Sequence, residues 1–215
     1  MTKRAAGREK KIVAGGGGRP KRAAERIRES ARELFYRQGI RAVGIDEIVT
    51  RAGVTKPSLY RSFPSKDELA ADYLRDHGQE RLRLFDAALA ERPDDPRGQF
   101  RFWLKTLSKR ATKSDYRGCG NSNAAVEYPD RNHPARKVAT VNKRQFREKL
   151  RNLAQALGAK KPDVLGDALL LVIEGAYASG QLFGSGGPAR ILVEAADALI
   201  DAHMVDCPKS VLGHD

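Results

Sequence analysis

Residues 53–69, GVTKPSLYRSFPSKDEL, carry two helix-start signals in quick succession and so leave room for only a short helix between them. Thr55 is a good N-cap for that helix, and Pro57 fits within its first turn, where a missing N–H costs little. Ser65 is an N-cap for the following helix, and Glu68 three residues later completes a capping box. The pattern predicts a short helix whose many polar side chains point away from any core.

The segment before it, GIDEIVTRAG, is another short amphipathic stretch, and Gly53 ends it. Apolar side chains spaced to hold the two short helices together are Ile48, Val49, Ala52, Val54, Leu59 and Phe63. Two short helices joined by a tight turn form a helix-turn-helix, whose second helix is free to enter a DNA major groove.

The second of these helices offers side chains that suit DNA. The predicted contacts are Thr55, Lys56, Pro57, Ser58, Tyr60 and Arg61. Hydroxyl and phenol groups suit phosphate oxygens, whereas Lys56 and Arg61 can also reach the O6 and N7 edges of guanine. Lys66, beside the next helix N-terminus, is predicted to reach a phosphate together with the exposed amides there.

The charge distribution agrees with an anionic partner at the N-terminal end. The chain has 40 Lys and Arg against 27 Asp and Glu, a net charge of +13. Residues 1–66 hold 17 of the basic and 6 of the acidic side chains, so most of the excess lies there. Nucleic acid or an acidic membrane surface would attract such a region.

The rest of the chain has helical periodicity, and no alternating run demands a strand. Helices are predicted at about 21–38, 66–90, 134–157, 162–184 and 188–203. A further helix is predicted over GQFRFWLKTLSKRA. The helix at 162–184 is apolar nearly all round, which predicts burial on both sides. We interpret the last two helices as half of a four-helix bundle between two protomers related by a two-fold axis.

The sequence LFYRQGIRAVGIDEIVTRAGVTKPSLYRSFPSKDELAADYL, with the helix before it, resembles the DNA-binding domain of the TetR family of transcriptional regulators, and the resemblance covers about residues 21–74. The sequence departs from the family pattern at Val49, where a small residue is usual, and near Val43 and Gly44, where a hydroxyl cap is usual. The resemblance implies an all-α protein of about nine helices. It also implies a homodimer that reads a palindromic operator in double-stranded DNA, and a ligand cavity in the larger C-terminal domain.

These inferences predict three regions. Residues 1–19 are expected to be a disordered basic arm, residues 20–66 the helix-turn-helix domain, and residues 67–215 the ligand-binding and dimerisation domain. The run GRPKR is similar to arms that enter an A·T-rich minor groove, with Arg19, Lys21 and Arg22 as contacts, although a solvated basic tail is an equal alternative.

Aromatic side chains of the C-terminal region are candidates for lining an inducer cavity. They are Phe100, Trp103, Tyr116, Tyr128 and Tyr177, and ordinary core positions are the alternative for each. Glu174 lies within an apolar helix, where a carboxylate needs a partner, a water or a ligand, and an exposed carboxylate or an intersubunit hydrogen bond is the alternative.

The segment RGCGNSNAAVEY is similar to one branch of TetR-like C-terminal domains and places Cys119 and Asn123 near the pocket entrance. Redox sensing by Cys119 needs a lowered thiol pKa, for which nearby Arg117 is an argument, and burial as a small hydrophobic residue is the alternative.

Several classes of protein receive no support from the sequence. The two cysteines are too few for a disulfide framework, and the apolar run at 168–183 is too short to span a bilayer. No secretory signal, histidine pair at metal-ligand spacing, phosphate loop or nucleophile elbow is visible, so we expect no metal, no cofactor and no enzymatic activity. A cytoplasmic, nucleoid-associated protein is expected.

The leading hypothesis is a sequence-specific DNA-binding repressor whose operator binding is relieved by a small-molecule inducer. An enzyme acting on that ligand and a sequence-tolerant architectural DNA binder are the alternatives.

Overall fold

A computed structural model describes residues 22–204, and α-helices make up most of this region. They are α1 (Ala23–Gln38), α2 (Ile45–Ala52), α3 (Lys56–Ser62), α4 (Lys66–Ala90), α5 (Pro96–Ala111), α6 (Gly120–Glu127), α7 (Pro134–Ala156), α8 (Pro162–Phe183) and α9 (Leu192–Met204). The part of the chain described has no strand, so the all-α prediction with about nine helices is confirmed.

The first hydrophobic core joins α1, α2 and α3 to the beginning of α4. Its largest fully buried side chains are Ile27, Ile40, Ile48, Leu59, Leu69 and Leu74. Ala124 of α6 and Ala135 and Ala139 of α7 belong to the same core. The small N-terminal helices are therefore packed directly against elements of the larger C-terminal region.

The second core lies between the far half of α4 and α5, α7, α8 and α9. Phe85 of α4 is at its centre, with edge-to-face ring contacts to Trp103 at 5.2 Å, Phe146 at 5.5 Å and Phe100 at 6.4 Å. Such geometry is the preferred arrangement of packed aromatic rings. Because α4 contributes to both cores, it is the element that connects the two halves of the protein.

Glycines allow α7 to approach its neighbours closely. A Cβ on Gly166 of α8 would lie 2.7 Å from the Cα of Arg151 in α7. A Cβ on Gly78 of α4 would overlap the side chain of Asn142, whose amide donates to the Leu74 carbonyl at 2.7 Å. The backbones of α4, α7 and α8 can pack at these distances only because side chains are absent there.

The C-terminal end differs slightly from the sequence-based expectation. A single helix was predicted over 188–203, but Pro188–Ile191 form a 3₁₀ turn and α9 begins at Leu192. The preceding helix, α8, has an outward stripe of Leu171, Gly175, Ala178 and Leu182. The side chains of Leu171 and Leu182 are 73% and 77% exposed, which is unusual for residues this apolar.

Candidate nucleic-acid interface and effector cavity

The turn between α2 and α3 is set by a glycine in the left-handed conformation. Gly53 has φ 60° and ψ 44°, and its N–H donates to the carbonyl of Thr50. The N–H of Val54 donates to the Val49 carbonyl at 3.0 Å. The Thr55 hydroxyl then accepts from the N–H of Ser58, which is the predicted N-cap of α3. These bonds fix the angle at which α3 leaves α2.

The buried and exposed faces of α3 are clearly separated. Leu59 and the adjoining Phe63 are buried, as the sequence predicted. Among the predicted contacts, Ser58 is half-buried and the others are exposed, namely Thr55, Lys56, Pro57, Tyr60 and Arg61. The structure therefore brings six of the predicted DNA contacts together on one outward surface, which we call the α3 face.

Two cations of the α3 face have partners within the protein. The Lys56 ammonium forms an ion pair with the Asp46 carboxylate of α2 at 2.7 Å, and this hydrogen bond raises the pKa of Lys56. Arg61 donates to the hydroxyl of Ser58 at 3.4 Å. Both pairs are exposed, so an incoming phosphate or base edge can replace them at small cost.

Lys66 is placed differently from the expectation of a phosphate contact. Its ammonium donates to the carbonyls of Ile40 at 3.1 Å, Arg41 at 3.3 Å and Val43 at 3.0 Å. An ammonium has three donors, so all of them are occupied inside the protein. Lys66 ties the start of α4 to the α1–α2 connection, a role that carries no sequence signal because its acceptors are backbone atoms.

The predicted minor-groove contacts are described only in part. Arg19 and Lys21 lie outside the described residues. Arg22 is exposed immediately before α1, and its N–H donates to the carboxylate of Glu25 at 3.0 Å.

The predicted ligand-binding residues do not form one group. Trp103, Cys119 and Tyr177 line a common cavity, and Glu174 borders it. The other four lie elsewhere. Phe100 is fully buried in the second core, and the Tyr116 hydroxyl is buried without a hydrogen-bond partner. Tyr128 stacks on His133 at 3.8 Å, and the Asn123 amide donates to the Arg117 carbonyl.

This inner cavity has a volume of about 30 Å³ and lies between α4, α5, α7, α8 and the start of α6. Its lining consists of Gly78, Arg81, Leu82, Trp103, Cys119, Asn121, Asn142, Lys143, Phe146 and Tyr177. A space of this size accommodates a water or two, whereas small-molecule pockets usually measure about 300–1,000 Å³. The cavity must widen before it can hold an effector.

Two cations inside the lining were not anticipated from the sequence. Arg81 donates to the Tyr177 hydroxyl at 2.8 Å, and Lys143 pairs with the Glu174 carboxylate. Burial alone would lower the pKa of Lys143, but the charges of Cys119 and Glu174 raise it above its ordinary value. Glu174 also accepts from the Ser122 hydroxyl at 2.7 Å, so the partners that its apolar helix required are Lys143 and Ser122.

Cys119 is buried at the N-cap of α6, but it is not only a small apolar side chain. Burial alone would raise its pKa. A hydrogen bond from His77 and the positive charge of Lys143 outweigh that effect and lower the thiol pKa to about 6. Arg117, the neighbour that the sequence indicated, is not among these causes. A thiolate is therefore the main form at neutral pH.

Residues 22–204 contain no group of three or more His, Cys, Asp or Glu side chains arranged to hold a metal ion. None of its helices has the length and apolar character needed to cross a membrane.

A glycine turn, a short helix with an exposed polar face, and a supporting α1 together define a helix-turn-helix DNA-binding domain. The sequence profile of "Bacterial regulatory proteins, tetR family" matches residues 27–73. SCO4454, a TetR-family regulator from Streptomyces coelicolor, is 28% identical with a TM-score of 0.80, covering 85% of this chain and 96% of its own. A structure described as a TetR regulator, sav143 from Streptomyces avermitilis, is 31% identical with a TM-score of 0.73, covering 86% of this chain and all of its own. The protein belongs to the TetR family.

Curated relatives resemble the N-terminal part. The transcriptional repressor BdcR of Escherichia coli is 37% identical over 78 residues, covering 35% of this chain and 40% of BdcR. The transcriptional activator FasR of Mycolicibacterium smegmatis is 50% identical over 48 residues, or 22% of each chain. This chain thus spans less than half the length of the curated relatives it matches.

Proposed function

We propose that the protein is a homodimeric transcriptional repressor. It binds a palindromic operator through the α3 face of each protomer and releases it when a small molecule widens the inner cavity. The observation that carries the proposal is the polar α3 face, held outward by the burial of Leu59 and Phe63. The function involves binding without turnover, in the cytoplasm where the chromosome lies.

DNA recognition in this proposal combines two kinds of contact. Thr55, Ser58 and Tyr60 donate to phosphate oxygens and set the register of α3 in the major groove. Arg61 reaches base edges once it leaves Ser58, and Lys56 reaches a phosphate once it leaves Asp46. Lys66 is omitted from this set because its three donors are already used.

The proposed dimer forms through α8 and α9. The exposed stripe of Leu171, Gly175, Ala178 and Leu182 combines large apolar side chains with small residues that allow a second helix to approach closely. A two-fold axis beside this stripe creates a four-helix bundle and presents two α3 faces to the same side of a duplex. Half-sites about one turn apart, roughly 34 Å, then match the symmetry of the dimer.

The proposed regulation passes through α4. The first turn of this helix is anchored to the α1–α2 connection by Lys66, and its middle turns contribute Gly78 and Arg81 to the inner cavity. An effector that widens the cavity must move α4 relative to α7. The helix-turn-helix unit moves with α4, so the spacing of the two α3 faces changes.

The first test is selection of bound sequences from a random duplex pool at physiological salt, using the full-length protein. We expect a palindrome and an affinity at least about 10³-fold above that for a scrambled duplex. Failure to enrich any motif would contradict specific recognition and support a general DNA binder driven by the basic N-terminal third.

A further inference from the structure

A second, larger depression lies on the other side of the inner cavity wall. It has a volume of about 420 Å³ and runs between α6, α7 and α8; we call it the α7 groove. Asn121 and Lys143 line both the α7 groove and the inner cavity. The wall between the two spaces therefore includes Asn121 and Lys143, and Lys143 is held there by its ion pair with Glu174 on the groove side, where Ser122 donates to Glu174.

The α7 groove has an excess of positive charge. Its lining includes Arg136, Lys143, Arg144 and Arg147. Lys143 is paired with Glu174 and Arg147 with Asp167, so Arg136 and Arg144 supply the excess. Arg136 donates to a backbone carbonyl, which leaves its charge uncompensated. Arg144 is exposed and has no hydrogen bond or ion pair among residues 22–204. An anionic group entering the groove would find guanidinium donors suited to a carboxylate.

The inner cavity provides a different environment. Trp103, Phe146 and Tyr177 form an aromatic lining, with Trp103 and Phe146 only 5.8 Å apart. The lining also contains Cys119, and Arg81, which donates to the Tyr177 hydroxyl. A flat apolar group is favoured among the aromatic rings, and Lys143, which lines both spaces, is the cation that an anion in the groove can reach.

We infer that the effector is a small aromatic carboxylate whose anion pairs with Lys143 in place of Glu174 while its ring enters the inner cavity. This inference rests on the proposed regulatory function and specifies its ligand class. Lys143 lines both spaces, so replacing Glu174 with the effector carboxylate as its partner opens the wall between them. The opened volume, at least that of the groove, falls within the range of ordinary ligand sites.

The inference is tested with two probes of nearly equal shape, 2-naphthoate and its neutral amide, 2-naphthamide. Isothermal titration of the full-length protein should give saturable binding of the carboxylate, about 10-fold or more tighter than that of the amide, as expected for a charge-assisted hydrogen bond. Lys143→Met should abolish this preference. Glu174→Gln should tighten naphthoate binding several-fold because the competing carboxylate is gone.

Lys149→Met is the matched control, because Lys149 lies on α7 and pairs with Asp86 away from the groove. It should leave the preference for the carboxylate unchanged. Thermal unfolding of each variant checks that it is folded; should Lys143→Met unfold, Glu174→Gln carries the test by itself.

Three results would overturn the inference: no saturable naphthoate binding, equal binding of the amide, or a preference unaffected by these two variants. The operator selection is independent of these titrations. A palindrome recovered without naphthoate binding would refute the ligand class alone, and naphthoate binding without a palindrome would refute the DNA proposal alone.

Discussion

At the scale of single residues, the pKa of the Cys119 thiol can be measured directly. Its thiol is buried, which raises its pKa, but a hydrogen bond from His77 and the positive charge of Lys143 lower that pKa to about 6. An ordinary cysteine titrates near pH 8.5. The folded protein therefore carries a thiolate through a pH range in which the unfolded chain carries a thiol.

We predict that thiolate absorbance at 240 nm, taken as the difference between the wild type and Cys119→Ser, titrates with a midpoint near pH 6. His77→Ala should move the midpoint upward toward the ordinary value, whereas His203→Ala, whose ring bonds the Leu199 carbonyl instead, should not. A midpoint near pH 8.5 in the wild type would contradict this description of the site.

The same shift has a consequence for stability. Between about pH 6 and the ordinary thiol pKa, the unfolded state binds more protons than the folded state, so the free energy of unfolding rises with pH. The contribution is complete above the ordinary pKa and is lost as pH falls through about 6. Urea unfolding of the wild type and Cys119→Ser across pH 5.5–9 should show this rise only in the wild type.

Lys56 and Lys66 form a second comparison at this scale. Lys56→Ala should weaken binding to every DNA sequence and reduce the slope of log K against log salt by about 1, because one phosphate contact is lost. Lys66→Met should leave the slope unchanged and destabilise the fold by about 2 kcal/mol, because three carbonyls lose a charged donor. Salt titrations of operator affinity and urea unfolding separate the two roles, and equal slopes for both variants would refute the distinction.

At the scale of helices, the close contact of α7 with α8 depends on Gly166. A methyl group there would meet the Arg151 backbone, which cannot move without displacing α7. We predict that Gly166→Ala destabilises the protein by about 1–3 kcal/mol, as overpacking usually does. Gly186→Ala is the control, since nothing lies within 4 Å of the added methyl. Urea unfolding should rank the two variants clearly, and a neutral Gly166→Ala would contradict the packing.

Helix boundaries could be predicted where the signal is local. Thr55 and Ser65 cap α3 and α4 as the sequence indicated, because a cap depends on residues three positions apart.

Pairings across the fold could not be predicted. Arg81 meets Tyr177 from 96 positions away, and no local pattern indicates that contact. Phe100 lies in the core and Trp103 lines the cavity, and only tertiary packing decides which is which. The presence of an aromatic residue in the sequence therefore could not distinguish a core position from a cavity position.

At the scale of the whole molecule, the apolar stripe on α8 predicts a dimer. Leu171→Glu should give a monomer by sedimentation velocity and lose most of its operator affinity, because each half-site then binds without the help of the other. Val126→Glu is the control, since Val126 is even more exposed than Leu171 but lies on α6. A dimeric Leu171→Glu protein would place the interface elsewhere.

Because α4 packs in both cores, it can transmit a tilt at one end of the protein to the other end as a rigid element. With 25 residues it is about 37 Å long. Gly78, where the helix lies tightly against α7, is about 18 Å along the axis from Lys66. A tilt of about 5° pivoted at Gly78 would shift the Lys66 end by roughly 1.6 Å, and the opposite tilt in a two-fold partner would double the change in separation. The cavity residue Leu82 lies about 6 Å along the axis from the same pivot, so a shift of only roughly 0.5 Å there corresponds to a misfit of roughly 3 Å against the fixed pitch of the duplex.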